Sequence, residues 1–465
     1  MATSERNDAV AVLRTLRANG HVAYFAGGCV RDLLLGLSPK DYDVATDATP
    51  DRVRRLFPDT QAVGAAFGVI LVRQRRSVIE VATFRADGRY TDGRRPDEVR
   101  FSTPDADAAR RDFTINGLFL DPAGDGGEDR VIDFVGGRAD LDAKVIRAIG
   151  NPAERFAEDH LRILRAVRFA ARLGFDLDPT TREQIVAHAG HLPRISPERI
   201  AEELRKILVG PPAAMGWELL RELGLVPVIF RFLPQTSPSP GTPAEGEGVL
   251  GVEHVPPNRN HPNTLPECRE SEPEFVTRSL VAASIPPASF GHGLTLASLD
   301  FLWHRSGRPA DIVPWLTKAM TGKIVRGLRQ GLKISNDESA EVEGILAGIG
   351  TVLAEPRPGV AKLKRFLATP TSAAARAVLE AMTKCDLRRT RIESMLPQLS
   401  ELDKTEVAPP PLINGDDLTA VGAEPGPRFK VALDAAYDAQ LEGRATDRST
   451  AMAIAWAIVA GNSDS

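Results

Sequence analysis

AGGCVRDLLLG at residues 26–36, followed three residues later by KDYDVAT at residues 40–46, is the stretch on which the reading of this chain turns. Upstream of it, Ala9, Val12, Leu13 and Leu16 recur with helical spacing and stop at Asn19-Gly20, and His21 to Ala26 reads as a short strand. Gly27-Gly28 breaks that strand, and Val30 to Leu35 resumes a helical pattern up to Gly36, so the paired glycines stand at a strand-to-helix turn. Paired glycines let a backbone approach a triphosphate closely, the start of the following helix offers unpaired N–H groups, and Arg31 adds positive charge. Taken alone, the same glycines read more simply as a turn.

Asp41-Tyr42-Asp43 shifts the balance. Asp41 to Ala45 reads as a strand, alternate strand residues share a face, and two carboxylates side by side repel. A divalent cation between them removes that cost, and Mg²⁺ takes one or two carboxylates together with phosphate oxygens. A lone D-x-D is a solvated turn; with the glycine turn just upstream, Asp41 and Asp43 read as metal ligands. Val69–Arg73 and Val78–Thr83 are further strand-like runs. Glu80 in the second joins the carboxylate cluster if its strand lies alongside, and is otherwise a charge on an exposed face. The polar, glycine-containing segment from Arg85 to Arg100 reads as a loop that could gate a substrate.

ARRDFTINGLFLD at residues 109–121 embeds Thr114 and Asn116 in an apolar run behind Arg110, Arg111 and Asp112. Arginine suits phosphate, and Asp112 and Asn116 suit ribose hydroxyls; Asp112 also reads as a cap at a helix start. AERFAEDHLRILRAVRFAARLGF at residues 153–175 reads as one helix, with Asp159 and Arg162 three apart on one face beside Glu158. Such a carboxylate–guanidinium pair either reads the edge of a base or is an ordinary ion pair. Arg165, Arg168 and Arg172 make a basic stripe that faces RNA or solvent.

The length of 465 residues calls for more than one domain, and 58 basic against 62 acidic residues exclude a polycation that coats nucleic acid, so any RNA contact must be local. Cys29, Cys268 and Cys385 form neither a C-x-x-C pair nor an even-numbered framework, which suits a reducing cytoplasm. No run approaches the ~20 apolar residues of a membrane span, and the mixed-charge N-terminus does not read as a secretion signal. The chain turns mostly helical from about Arg147. Between about Pro234 and Pro287 it is rich in Pro, Ser, Gly and Glu, the composition of a disordered insertion or long surface loop, and helical patterning returns at about Leu294.

In their order, these blocks resemble the bacterial-type CCA-adding tRNA nucleotidyltransferases and their relatives, the bacterial poly(A) polymerases. GGCVRD with DYD is similar to the family's metal and triphosphate motif, RRDFTIN to its ribose motif, DFVGGRADL at residues 133–141 to its head-to-neck motif, EDHLR to its base-reading motif, and ISPERIAEELRKIL to the following neck helix. The similarity is clear to about Leu208 and returns more weakly at LRQGLKISNDE and LINGDDLTAVGAEPGPRF. It implies an α+β chain: a head with a small mixed β-sheet at residues 1–146, a helical neck and body at 147–233, the insertion at 234–293, and a helical body and tail that grip tRNA at 294–465.

By resemblance, Asp41 and Asp43 hold Mg²⁺, Gly27, Gly28, Arg31 and Arg111 surround the nucleotide, Asp112 and Asn116 lie near its ribose, and Glu158, Asp159 and Arg162 select its base. The reaction implied is two-metal transfer from CTP and ATP to a tRNA 3′ end, with release of pyrophosphate. The alternatives are addition of the terminal A only, poly(A) addition to another RNA 3′ end, or an RNA-binding protein without catalysis; intact Asp41 and Asp43 argue against the last. A full-length Arg85–Arg100 loop implies CCA or A addition over C addition alone. Where some relatives carry an adjacent His-Asp phosphohydrolase signature, this chain has Arg305 after His304, so that activity is not expected.

Overall fold

The computed structural model describes residues 4–62, 68–87, 99–122, 129–234, 279–307, 312 and 316–460. Two compact units emerge: Met1–Phe232 with Gly331–Ile334, and Leu233–Gln330 with Ser335–Ser465.

The first unit opens with α1 (Ser4–Ala18), β1 (Ala23–Ala26), α2 (Gly28–Leu34), β2 (Val44–Thr46), α3 (Pro50–Leu56), β3 (Thr60–Gln61), β4 (Val69–Gln74) and β5 (Ser77–Thr83). There follow β6 (Arg85–Asp87), β7 (Val99–Phe101), α4 (Pro104–Ala109), β8 (Phe119–Asp121), β9 (Arg130–Ile132), α5 (Gly137–Asp142) and β10 (Val145–Ile146). Seven strands form one sheet in the order β3-β4-β5-β2-β1-β8-β9, in which β2 and β5 run parallel and the other neighbours antiparallel, a mixed sheet.

Helix α1 buries Ala9, Val12, Leu13 and Leu16 against this sheet, the residues whose spacing marked it as helical. Along β5, Ile79, Val81 and Thr83 are buried, so Glu80 between them points to the opposite face.

Helices α6 (Pro152–Glu158), α7 (Leu161–Leu173), α8 (Pro179–His188), α9 (Pro197–Ile207), α10 (Ala213–Glu222) and α11 (Val226–Ile229) complete this unit, with β11 (Asp176–Leu177) pairing parallel to β10. The boundary read at residue 146 therefore falls inside one compact unit. Phe113, Phe156 and Trp217 are fully buried within it.

Two local expectations change. Residues 153–175 are two helices, broken at Asp159-His160, where Asp159 is extended at φ −148° and its carboxylate takes the Leu161 N–H at 3.0 Å. A short acidic side chain that bonds its neighbouring backbone competes with the helix for those groups. The strand read at Asp41–Ala45 begins at Val44; Asp43 still hydrogen-bonds β1 through its carbonyl, which accepts from Ala26 N at 3.0 Å.

The second unit is helical among its described residues: α12 (Leu280–Ala283), α13 (Phe290–Arg305), α14 (Lys318–Leu332, whose last residues belong to the first unit), α15 (Asn336–Ala354), α16 (Val360–Leu367), α17 (Ser372–Lys384), α18 (Arg389–Leu402), α19 (Gly415–Ala420), α20 (Pro427–Leu441) and α21 (Arg448–Ala460). Helix α13 is buried from Phe290 to Trp303 and packs on α12 and α15. The α19–α21 hairpins close a small core of alanines around Leu418.

Helical structure resumes before residue 293, where the insertion was read to end. Leu280 and Val281 are buried, and the buried Asp300 carboxylate accepts the Leu280 N–H at 2.7 Å, an anchor supplied from twenty residues downstream. Residues 235–278, the bulk of that insertion, lie outside the described residues, as do residues 88–98 of the Arg85–Arg100 segment.

Candidate active site

A cleft of about 840 Å³ in the first unit is lined by residues from the glycine turn, β5, the segment after α4, α7 and α9. At its floor Gly27 sits at φ +71°, and a Cβ there would meet Arg111 Nη1 at 2.7 Å, so glycine serves both the turn and the approach of Arg111. Gly28 and Asp41, Asp43 and Glu80 line the same cleft. The parallel pairing of Val44 with Val81 sets Asp43 beside Glu80, which meets the condition under which Glu80 joins the carboxylates.

These carboxylates are poorly neutralised. Burial raises the Asp43 carboxyl to about 6, Glu80 and Asp41 push it the same way, and Arg111 is the opposing charge. Glu80 is raised by burial and by Asp41. Among the described residues no three His, Cys, Asp or Glu side chains are gathered as a ready coordination set. The donor set thus fits a hard cation that completes its shell with phosphate oxygens and water better than one caged by protein alone. Cys29, beneath the turn, donates its thiol to Ala26 O at 3.3 Å, and burial with the nearby Asp43 charge raises it to about 11.

The same cleft carries a lattice of paired arginines. Arg165 donates to Asp112 at 2.6 and 2.7 Å, and Asp112 also takes the Phe113 N–H at 2.8 Å and the Asn116 amide at 3.0 Å. Burial alone would raise the Asp112 carboxyl; Arg165, Asn116 and the Phe113 N–H outweigh it and hold the group at about 2. Asp112 caps no helix, since the turn Thr114–Asn116 starts after Phe113.

That turn is buttressed from the DFVGGRADL motif. Thr114 Oγ1 donates to Asp140 at 2.7 Å, and a Cβ on Gly137 would lie 2.1 Å from Thr114 O. Arg31 is buried, donating to Asp32 at 2.6 and 2.8 Å and to Asn116 at 2.6 Å. Each of its three nitrogens is engaged in this frame, which ties the helix after the glycine turn to Asn116, and it also lines the cleft. Arg111 pairs with Asp107 at 2.9 Å and with Asn116 O at 3.1 Å.

Asp159 and Arg162 both line the cleft but do not pair as neighbours on one helix. Asp159, at the break, accepts from Arg199 of α9 at 2.8 Å, whereas Arg162 donates to Glu158 at 2.5 Å. The stripe Arg165, Arg168 and Arg172 turns toward the cleft and finds Asp112, Glu203 and Asp32 as partners. Phe169 lies under Arg31, Arg165 and Arg168, with guanidinium carbons 5.2, 5.6 and 4.4 Å from its ring centre. Arg199, Phe169 and Glu203 were not singled out from the sequence; Phe169 stands one helical turn after Arg165, while Arg199 carries no local signal.

Residues 23–147 match the family described as the poly A polymerase head domain, and residues 174–237 that described as a probable RNA and SrmB-binding site of polymerase A. The chain is 47% identical to the CCA-adding enzyme of Bacillus subtilis over 213 residues, 46% of this chain and 52% of that protein. It is 44% identical to that of Geobacillus stearothermophilus over 219 residues, 47% and 53% of the two chains. The chain thus spans about half the length of the curated relatives it matches.

The solved structure of the Bacillus stearothermophilus CCA-adding enzyme in complex with CTP aligns with 99% of this chain and 98% of its own, at 28% identity and a TM-score of 0.67. The Thermotoga maritima CCA-adding enzyme complexed with tRNA shares the fold at a TM-score of 0.62 and 18% identity, over 99% and 96% of the two chains. No described helix is long and apolar enough to cross a membrane. Residues 23–147 thus match a poly A polymerase head, and over about half of its length the chain is similar to the CCA-adding enzymes.

Proposed function

We propose that this chain is a template-independent RNA nucleotidyltransferase that adds CCA, or its terminal A, to the 3′ end of tRNA from CTP and ATP in the cytoplasm, releasing pyrophosphate. The observation that carries the reading is one cleft lined both by unbalanced carboxylates and by a preorganised arginine–carboxylate lattice. A nucleotide bound to a divalent cation matches that division: triphosphate and metal toward Asp41 and Asp43, ribose and base toward Asp112, Asp159 and Arg162.

Asp41 and Asp43 would hold the metal, Mg²⁺ by donor chemistry, with Glu80 alongside. Bound there, the ion would lower the pKa of the attacking 3′-hydroxyl and neutralise charge on the leaving oxygen. Gly27 and Gly28 let the backbone come close to the phosphates, and Arg111 adds a guanidinium anchored on Asp107 beside that turn. Asp112 and Asn116, locked to each other and to Arg165 and Arg31, offer a fixed polar edge for ribose hydroxyls. Asp159 and Arg162 supply an acceptor and a donor fork for a base edge, and Arg165 and Arg168 extend positive charge along the cleft for the RNA strand. Positioning and charge complementarity, with the cation, would carry such a transfer without a covalent enzyme intermediate.

The test is incubation with tRNA transcripts ending before, within and after CCA, each nucleotide supplied separately. CTP should extend the end lacking CCA, ATP the end carrying CC, and nothing the finished end. Runs of A on any RNA end would assign the chain to poly(A) addition, and no incorporation at all would leave an RNA-binding role.

A further inference from the structure

Arg155 stands behind the cleft, outside its lining, with its guanidinium spent in three directions. Its Nε donates to Ile149 O at 2.9 Å, its Nη2 to Ala109 O at 2.6 Å, and its Nη1 to both Glu158 oxygens at 3.0 and 3.2 Å. Glu158 in turn accepts from Arg162 Nη1 at 2.5 Å. The other contacts of the Arg162 guanidinium are the carbonyl oxygens of Arg155 at 3.0 Å and Arg110 at 3.3 Å. Two guanidiniums joined by one carboxylate therefore grip two consecutive carbonyls, those of Ala109 and Arg110, where the chain leaves α4.

The next two residues after that grip are Arg111 and Asp112, which line the cleft. The arrangement fixes Arg162 relative to the segment facing the phosphates and ribose. A planar fork with donors in three directions is a property of arginine; the lysine ammonium is a compact charge that cannot hold Ile149 O, Ala109 O and a two-oxygen carboxylate contact in one plane. Without that fork Glu158 keeps Arg162 as its partner but loses its own anchor, and the aim of Arg162 is no longer set.

We propose that Arg155 is a positioning residue for nucleotide selection: it locks Glu158, Glu158 aims the Arg162 fork at the base, and the shared carbonyl grip registers that fork against Arg111 and Asp112. This rests on the reading of Arg162 as the base-facing donor.

The test uses the full chain and a tRNA transcript lacking CCA, with incorporation efficiencies for all four nucleotides in wild type, Arg155→Lys, Arg155→Ala, Glu158→Gln and Arg162→Ala, and a melting curve for each. Arg155→Lys should keep CTP turnover within about threefold of wild type while its preference for CTP over UTP falls about tenfold or more. Glu158→Gln, which breaks the same link without touching Arg155, should shift the preference in the same direction. In an Arg162→Ala background, replacing Arg155 should change the preference less than about twofold, because its effect passes through Arg162.

An unchanged preference in both Arg155→Lys and Glu158→Gln overturns the proposal, as does a common fall for all four nucleotides or full additivity with Arg162→Ala. Wild type that incorporates nothing, or Arg162→Ala with wild-type preference, overturns instead the base-reading assignment beneath it.

Discussion

Two aspartates on the wall of one cleft are driven in opposite directions. Asp43 is raised to about 6 by burial and by its neighbours Glu80 and Asp41, while Asp112 is held at about 2 against the same desolvation by Arg165, Asn116 and a backbone N–H. The Asp112 lattice is finished as the chain folds, each acceptor matched by a donor. The Asp43 cluster is left short of positive charge. An unbalanced carboxylate beside a satisfied lattice fits the proposed reading, in which the missing charge arrives with the substrate.

The sharpest way to break the comparison is to remove the unmatched charge. On the proposed reading, in which each holds the cation, Asp43→Asn or Asp41→Asn should lower nucleotide incorporation by roughly three orders of magnitude or more. The same change in Asp43 should leave the melting temperature in chelator unchanged or raised, because it removes repulsion at the same time. Incorporation rates with circular dichroism melts decide it; an active Asp43→Asn enzyme would end the metal reading.

At the satisfied lattice the signs reverse. Asp112→Ala removes the partner of the partly exposed Arg165 and of the Asn116 amide, and should destabilise the protein by about 2 kcal/mol, less than breaking a fully buried charged pair. Denaturant unfolding of the variant against wild type measures it. A loss below about 1 kcal/mol would mean that water replaces Asp112 and that the lattice is not preorganised.

How much of this was legible in the sequence follows the range of the interactions involved. Asp41, Asp43 and the glycine turn lie within seventeen residues, so their gathering in one cleft was legible locally even though the strand read through both aspartates starts only at Val44; Glu80 joined them through the pairing of β5 with β2, which no local signal fixes. The break at Asp159 was not legible, because a regular apolar pattern runs through it. What stops the helix is a side-chain bond to Leu161 N and a salt bridge from Arg199, forty residues on.

Arg31 was read as adding positive charge beside the glycine turn; its bond to Asn116, eighty-five residues away, was not legible, because nothing local reveals it. The helix Leu280–Ala283 was hidden in a polar, proline-rich composition, its anchor being Asp300.

A smaller effect tests Arg162 on the cleft wall. Arg162→Ala leaves Asp41, Asp43 and Glu80 untouched and removes the donor fork proposed to read the base, a loss of about 1–3 kcal/mol that should fall on discrimination among nucleotides. The ratio of incorporation efficiencies for CTP, ATP, GTP and UTP should flatten in the variant. A common fall for all four would assign Arg162 to phosphate or to structure.

The smallest effect is the dependence of stability on pH in the presence of chelator, where the two aspartates should act with opposite slopes. A carboxyl raised from 3.8 to about 6 on folding binds more protons in the folded state between those values, so its contribution to stability falls as pH rises through that window. Asp112, lowered to about 2, stabilises above the unfolded value and loses that contribution as pH falls toward 2. The stability of Asp43→Asn minus that of wild type should therefore grow between pH 4 and 7, by about 1–2 kcal/mol once the partial exposure of Asp43 is allowed for. Saturating divalent cation should shrink the difference, since the ion neutralises the repulsion that the substitution relieves. A difference that stays flat across that window in chelator would show that Asp43 is ionised at no cost in the folded protein, and the contrast between the two aspartates would be lost.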